Sequence, residues 1–95
     1  MVVSMIQFRL ELPPLESIKE KRRIVTSLKQ KLQRKFRLSV AEVDLLESMR
    51  RAQIGAAVVS NSKRYGETVL QKVLAFVERH AEGRLEDAEI FSEIY

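Results

Sequence analysis

The chain has 95 residues, of which 45% are hydrophobic, and it carries a formal charge of +4 with one histidine and no cysteine. This length predicts one small domain, residues 1–95, and excludes a large enclosed active-site cavity. The lack of cysteine excludes disulfides and thiolate chemistry, and it is compatible with a reducing compartment, for which the cytoplasm is the default.

The first residues alternate between apolar and polar side chains. The apolar members are Ile6, Phe8, Leu10 and Leu12. The polar members are Gln7, Arg9 and Glu11. This alternation is typical of a strand with one buried face, which Pro13 and Pro14 end. The segment is short and lacks a charged n-region, so we expect neither a signal peptide nor a membrane span.

Residues 17–37 are predicted to form one amphipathic helix. Ser17, followed three residues later by Glu20, matches a capping box. The apolar stripe at helical spacing consists of Ile18, Val25, Leu28, Leu32 and Phe36. The remaining surface is almost entirely cationic and holds nine of the seventeen Lys and Arg, which are Lys19, Lys21, Arg22, Arg23, Lys29, Lys31, Arg34, Lys35 and Arg37.

Two more strands are predicted after this helix. Residues 39–45 alternate again, and residues 52–60 are small and apolar, which suits a central strand. The polar segment between them, residues 47–51, is expected to join the two strands as a hairpin.

A second helix and a last strand complete the pattern. Asn61 or Ser62 caps the helix, and Gly83 stops it. Its apolar stripe consists of Tyr65, Val69, Val73, Phe76 and Val77. With a strand at residues 85–95, the order βαββαβ predicts an α+β, ferredoxin-like domain in which two helices cover one face of a four-stranded antiparallel sheet.

Three segments of the chain resemble the YlxP-like family, also known as domain-of-unknown-function family 503. They are SIKEKRRIVTSLKQKL, FRLSVAEVD and AQIGAAVVSNSKR, in that order, within about the first four-fifths of the chain. The resemblance implies a ferredoxin-like fold, a bacterial origin and a gene neighbourhood that often includes translation initiation factor 2 and ribosome-binding factor A. It implies no established activity.

The chain departs from this family pattern in the loop at residues 45–51. After the position of Asp44, relatives often carry a polar stretch with a histidine, an acid and a tryptophan. Here the residues are Leu45, Leu46, Glu47, Ser48 and Met49. The departure puts any family site on this loop in doubt.

The charges of the first helix differ in how the helix dipole affects them. The dipole favours the cations near the C-terminal end, so Lys31, Arg34, Lys35 and Arg37 have a structural explanation. The dipole opposes the cations of the first turns, which are Lys19, Lys21, Arg22 and Arg23. These four need another explanation, and a helix N-terminus beside several cations is a suitable binding site for a phosphate.

We therefore predict RNA contacts from one outward surface of this helix. Its residues are Lys19, Arg22, Arg23, Arg34 and Arg37. The alternative is a solvated face that keeps the protein soluble, although ordinary surface helices mix charges of both signs. Lys21 falls within the apolar stripe, so we expect it to extend to the stripe edge or to pair with a carboxylate of another element.

The open face of the sheet decides between modes of nucleic-acid binding. With Ala41 and Val43 expected to face the helices, this face would present Arg9, Glu11, Glu42, Asp44, Glu89 and Glu93. Five acids against one base, with Phe91 as the one expected aromatic, disfavour RNA there. Such an acidic face suits a protein partner or a second copy of the domain, with Phe91, Val40 and Val59 as its apolar centre.

Catalysis finds little support in the sequence. His80, expected on the apolar side near the end of the second helix, is interpreted as a packing or helix-end residue. Residues 13–16 lack the glycines or arginine of a phosphate cradle. We predict no catalytic residue, metal site or cofactor.

The functional prediction is a cytoplasmic, non-catalytic accessory protein that contacts ribosomal RNA or the small ribosomal subunit. The alternative is a protein-interaction or homodimer module without nucleic-acid binding, and an enzyme with an unrecognised site is the third hypothesis.

Overall fold

A computed structural model describes residues 1–95 as four strands and two helices in the order βαββαβ. The elements are β1 (Val2–Glu11), α1 (Ile18–Phe36), β2 (Ser39–Asp44), β3 (Arg51–Ser60), α2 (Lys63–His80) and β4 (Arg84–Ile94). The strands form one antiparallel sheet in the order β2-β3-β1-β4, and both helices pack on one of its faces. The predicted ferredoxin-like fold is confirmed.

Serine side chains begin both helices. The hydroxyl of Ser17 accepts a hydrogen bond from the Glu20 backbone N–H at 3.2 Å. Ser62, rather than Asn61, caps α2 by accepting from the Tyr65 backbone N–H at 3.1 Å. Neither helix contains a stretch long and apolar enough to cross a membrane.

The core lies between the helices and the inward residues of the sheet. Alternate residues of the central strands supply one side, among them Ile6, Phe8, Leu10, Ala52 and Ile54. The helices supply Ile24, Val25, Leu28, Leu32, Leu70, Val73 and Val77. Tyr65, predicted in the stripe of α2, is exposed, because Gly66 is the residue that this turn directs at β1.

The predicted orientation of β2 is wrong. Val40 and Glu42 pair with buried residues of β3 and therefore point at the helices. Consequently Ala41 and Val43 lie on the open face. The alternation in this short strand fits either orientation, and the buried ammonium of Lys21 supplies the partner that an inward carboxylate at Glu42 needs.

Five of the six charged residues predicted for the open face lie there, and only Glu42 points at the helices; the five are Arg9, Glu11, Asp44, Glu89 and Glu93. Arg51 and Arg84 add cations to this face, which divides into two halves. The half that we name the apolar half-face consists of Val3, Met5, Ala41, Val43, Gly55, Ala57, Val59 and Phe91, with the exposed Glu93 opposite Val3 at its edge. The other half holds charges of both signs, several of them paired, as in Arg51 with Glu86 at 3.1 Å and Arg84 with Glu11 at 3.4 Å. The open face therefore offers a partner an apolar half beside a half that carries charges.

Candidate nucleic-acid interface

Four of the five residues predicted to contact RNA lie on the exposed side of α1, and the fifth, Arg37, is its exposed C-cap; the five are named here the basic ridge. They are Lys19, Arg22, Arg23, Arg34 and Arg37. The buried residues of the helix occupy its opposite side. Residues three and four apart share a helix face, so residues near both ends of a helix can lie on the same side of it. The ridge therefore runs along α1, with three residues near its N-terminal end and two at its C-terminal end.

The basic ridge is almost free of carboxylates. Arg23 alone has an ion-pair partner, with its Nη1 at 3.4 Å from Oε2 of Glu82, and both side chains are exposed. No other ridge residue has a carboxylate within 4.0 Å. Because an exposed pair contributes at most about 1 kcal/mol, Arg23 is readily released to a stronger anionic partner.

Lys21 is separate from the ridge and is buried, with 1% of its surface exposed. Its Nζ donates to the carbonyls of Leu45 at 2.5 Å and Leu46 at 3.3 Å, and it lies 3.1 Å from Oε2 of Glu42. The expectation that it pairs with a carboxylate of another element is confirmed. This contact joins the first turns of α1 to the β2–β3 loop, and it thereby holds the N-terminal part of the ridge against the sheet.

The backbone of the β2–β3 loop is arranged to receive this lysine. Leu45 adopts a left-handed conformation with φ 60°, and its N–H donates to Oδ1 of Asp44 at 2.7 Å. Oε2 of Glu42 is buried and accepts no hydrogen bond, so its contact with the Lys21 ammonium is electrostatic. The loop therefore serves α1 structurally, through backbone carbonyls that no sequence motif marks.

The residues predicted as a protein interface fall on two different faces. Phe91 and Val59 lie on the apolar half-face, where they are 42% and 63% exposed. Val40 points at the helices and packs against the core. The sequence analysis did not place Val43 on this half-face. Gly55 was the available signal, because a Cβ at this position would lie 2.9 Å from Cγ1 of Val43.

His80 ends α2 and is exposed rather than on the buried side of that helix. Its ring lies 4.5 Å from the ring of Phe76, in agreement with a helix-end role. No three His, Asp or Glu side chains lie close enough together to share a metal ion.

Comparison with known proteins shows which family the chain resembles. A family model described as "Protein of unknown function (DUF503)" matches residues 3–90. The uncharacterized protein YlxP of Bacillus subtilis strain 168 is 36% identical over 66 residues, which cover 70% of this chain and 72% of that protein. Among solved structures, the de novo designed protein Ferredog-Diesel covers 97% of this chain and 84% of its own, with a TM-score of 0.44 at 12% identity, a likeness too weak to support an argument.

Proposed function

Since the chain belongs to the DUF503 family, described as proteins of unknown function, we propose that it is a cytoplasmic, non-catalytic accessory protein that contacts ribosomal RNA or a ribosomal particle through the basic ridge. The observation that carries the proposal is the ridge itself, which has five exposed cations on one helix side and a single carboxylate partner. The gene neighbourhood that the family resemblance implies points in the same direction.

The chemistry of the ridge favours phosphate. Four of its five residues are arginines, whose planar guanidinium groups bind phosphate oxygens in pairs. From Lys19 to Phe36 the helix rises about 26 Å, so it can follow several phosphates of one RNA helix. The open sheet face has one exposed strand aromatic, Phe91, where RNA-recognition modules stack two or three bases, so the ridge would read the shape and charge of RNA rather than its sequence.

Reversing the N-terminal charges of the ridge tests the proposal. In the triple variant Lys19→Glu, Arg22→Glu, Arg23→Glu, we expect affinity for a structured ribosomal RNA fragment to fall at least tenfold. The plot of log affinity against log salt has a negative slope. We expect this slope to become shallower by about 2 to 3 units, because three phosphate contacts are lost. Fluorescence anisotropy between about 50 and 200 mM salt measures both quantities.

A matched control separates the ridge from net charge. Arg50, Lys63 and Arg64 are exposed cations outside the ridge and without ion pairs, so their replacement by Glu changes the charge by the same amount. The control is expected to retain most of the affinity, and circular dichroism checks that both variants fold. Equal losses in the two triple variants, or unchanged affinity in the ridge variant, would contradict the ridge assignment.

The ribosomal partner is tested by comparing small ribosomal subunits with an unrelated structured RNA. Saturable binding that prefers the subunits supports the accessory-factor proposal. Equal affinity for every RNA would remove the ribosomal part and leave a general basic surface.

A second candidate function, homodimerisation, is favoured by the shape of the apolar half-face. Phe91, which is 42% exposed, forms one wall of a shallow hollow of about 310 Å³ that Ala41, Gly55 and Ala57 also line. An exposed ring at the edge of a hollow can be self-complementary across a two-fold axis, with Phe91 of each copy in contact with the hollow of the other. Three strands of ten or eleven residues and one of six present a whole face of about 600 Å², so the half-face alone would form an interface well below the ~800 Å² per partner of a standard one.

The dimer candidate predicts a concentration-dependent oligomeric state. We expect sedimentation equilibrium to find a dimer of the wild-type chain at tens of micromolar, and Phe91→Glu to convert it to a monomer. Tyr65→Glu is the matched control, since this aromatic is exposed on α2, away from the half-face. A wild-type chain that stays monomeric at these concentrations would refute the candidate.

A further inference from the structure

A second basic surface lies in a groove between α1 and α2, beside the C-terminal end of the ridge. The groove has a volume of about 280 Å³. Its lining consists of Lys35, Phe36, Lys72, Ala75, Phe76, Arg79 and His80, and contains no carboxylate. Three cations therefore converge on a space near the lower end of the volumes found for small-molecule sites.

These cations form no ion pairs within the protein. Lys35, Lys72 and Arg79 each lack a carboxylate within 4.0 Å. The helix dipole accounts for Lys35 and Arg79, which lie in the last turns of α1 and α2. It does not account for Lys72, which lies in the middle of α2. Their convergence leaves a positive potential that an anion would neutralise.

Aromatic rings form the floor of the groove. The rings of Phe36 and Phe76 meet edge to face at 5.8 Å, and the ring of His80 lies 4.5 Å from Phe76 at 39°. Nζ of Lys35 lies 5.5 Å from the centre of the Phe76 ring. His80 is exposed, so part of its imidazole, which is tilted by 39° to the ring of Phe76, is open to solvent. An open ring face beside unpaired cations is how proteins bind unpaired nucleotides, by stacking the base and binding its phosphates.

We propose that this groove binds one unpaired nucleotide of an RNA, with the base stacked on His80 and its phosphates bound by Lys35, Lys72 and Arg79. The inference rests on the RNA contact proposed above and deepens it. Lys35 follows Arg34 of the ridge directly in the chain, so one RNA can place a paired segment on the ridge and an unpaired nucleotide in the groove. The protein thereby selects junctions between paired and unpaired RNA.

The test compares two RNA hairpins with the same stem, one blunt and one with a single-stranded 3′ tail of four nucleotides. The wild-type chain is expected to bind the tailed hairpin more tightly. In the double variant Lys72→Glu, Arg79→Glu, the affinity for the tailed hairpin should fall at least tenfold, and the preference for the tailed over the blunt hairpin should vanish. In His80→Ala, loss of one stacking contact should weaken the tailed hairpin about fivefold and leave the blunt one unchanged.

The control is Lys63→Glu, Arg64→Glu, which makes the same charge change on the same helix outside the groove. It should keep the preference for the tail. Equal wild-type affinity for both hairpins, or equal loss of preference in groove and control variants, overturns the groove inference and leaves the ridge proposal standing. A wild-type chain that binds neither hairpin at about 50 mM salt overturns both.

Discussion

Replacing Glu42 with leucine is expected to lower the free energy of unfolding by about 3 kcal/mol, because the substitution leaves the buried ammonium of Lys21 without its carboxylate. Removal of one partner of a buried ion pair typically costs about 3 to 5 kcal/mol. We expect the lower value for Glu42→Leu, because Nζ of Lys21 still donates to the carbonyls of Leu45 and Leu46. Urea unfolding followed by circular dichroism measures the change.

Two further variants make this prediction specific. Glu82→Leu breaks the exposed pair with Arg23 and should cost less than about 1 kcal/mol. The double variant Lys21→Met, Glu42→Leu removes both charges and should recover most of the lost stability. If Glu42→Leu alone unfolds at the wild-type urea concentration, the ion pair does not anchor α1 to the hairpin.

Replacing Gly66 with alanine is expected to lower the free energy of unfolding by about 2 to 3 kcal/mol. In an open helix interior the same change would stabilise by about 1 kcal/mol, since alanine has the higher helix propensity. Here the added Cβ would lie 2.1 Å from Oγ and 2.8 Å from Cβ of Ser4 on β1. Oγ of Ser4 is 2.8 Å from Oγ of Ser92, which donates to Glu67 at 3.0 Å, so the serine cannot turn away without breaking this network.

Thermal and urea unfolding of Gly66→Ala measure this effect, and Ser4 provides the controls. Ser4→Ala alone should cost about 1 kcal/mol through its lost hydrogen bond. Ser4→Gly combined with Gly66→Ala removes the clash and should be more stable than Gly66→Ala in the Ser4 background. An alanine variant as stable as the wild type would mean that α2 does not depend on this close approach.

The elements and the ridge could be predicted from the sequence because both depend on local patterns. The alternation of β1 and the stripe of α1 each repeat within a few residues, and the serine caps lie next to the helices that they begin. The ridge follows from the same helical period, since Lys19, Arg23 and Arg34 share a side whatever the helix packs against. No long-range contact was needed for either prediction.

The orientation of β2, the apolar half-face and the groove were decided only by tertiary structure. In six residues of mixed character, both faces of β2 are nearly equally apolar, so the choice rests on the ion pair between Lys21 and Glu42, which lie 21 positions apart. The groove likewise needs Phe36 and Phe76 to meet from different helices. A single sequence states the period of each element and the charges on it, but the partner of a buried charge and the neighbours of a ring are set by the packing of distant segments.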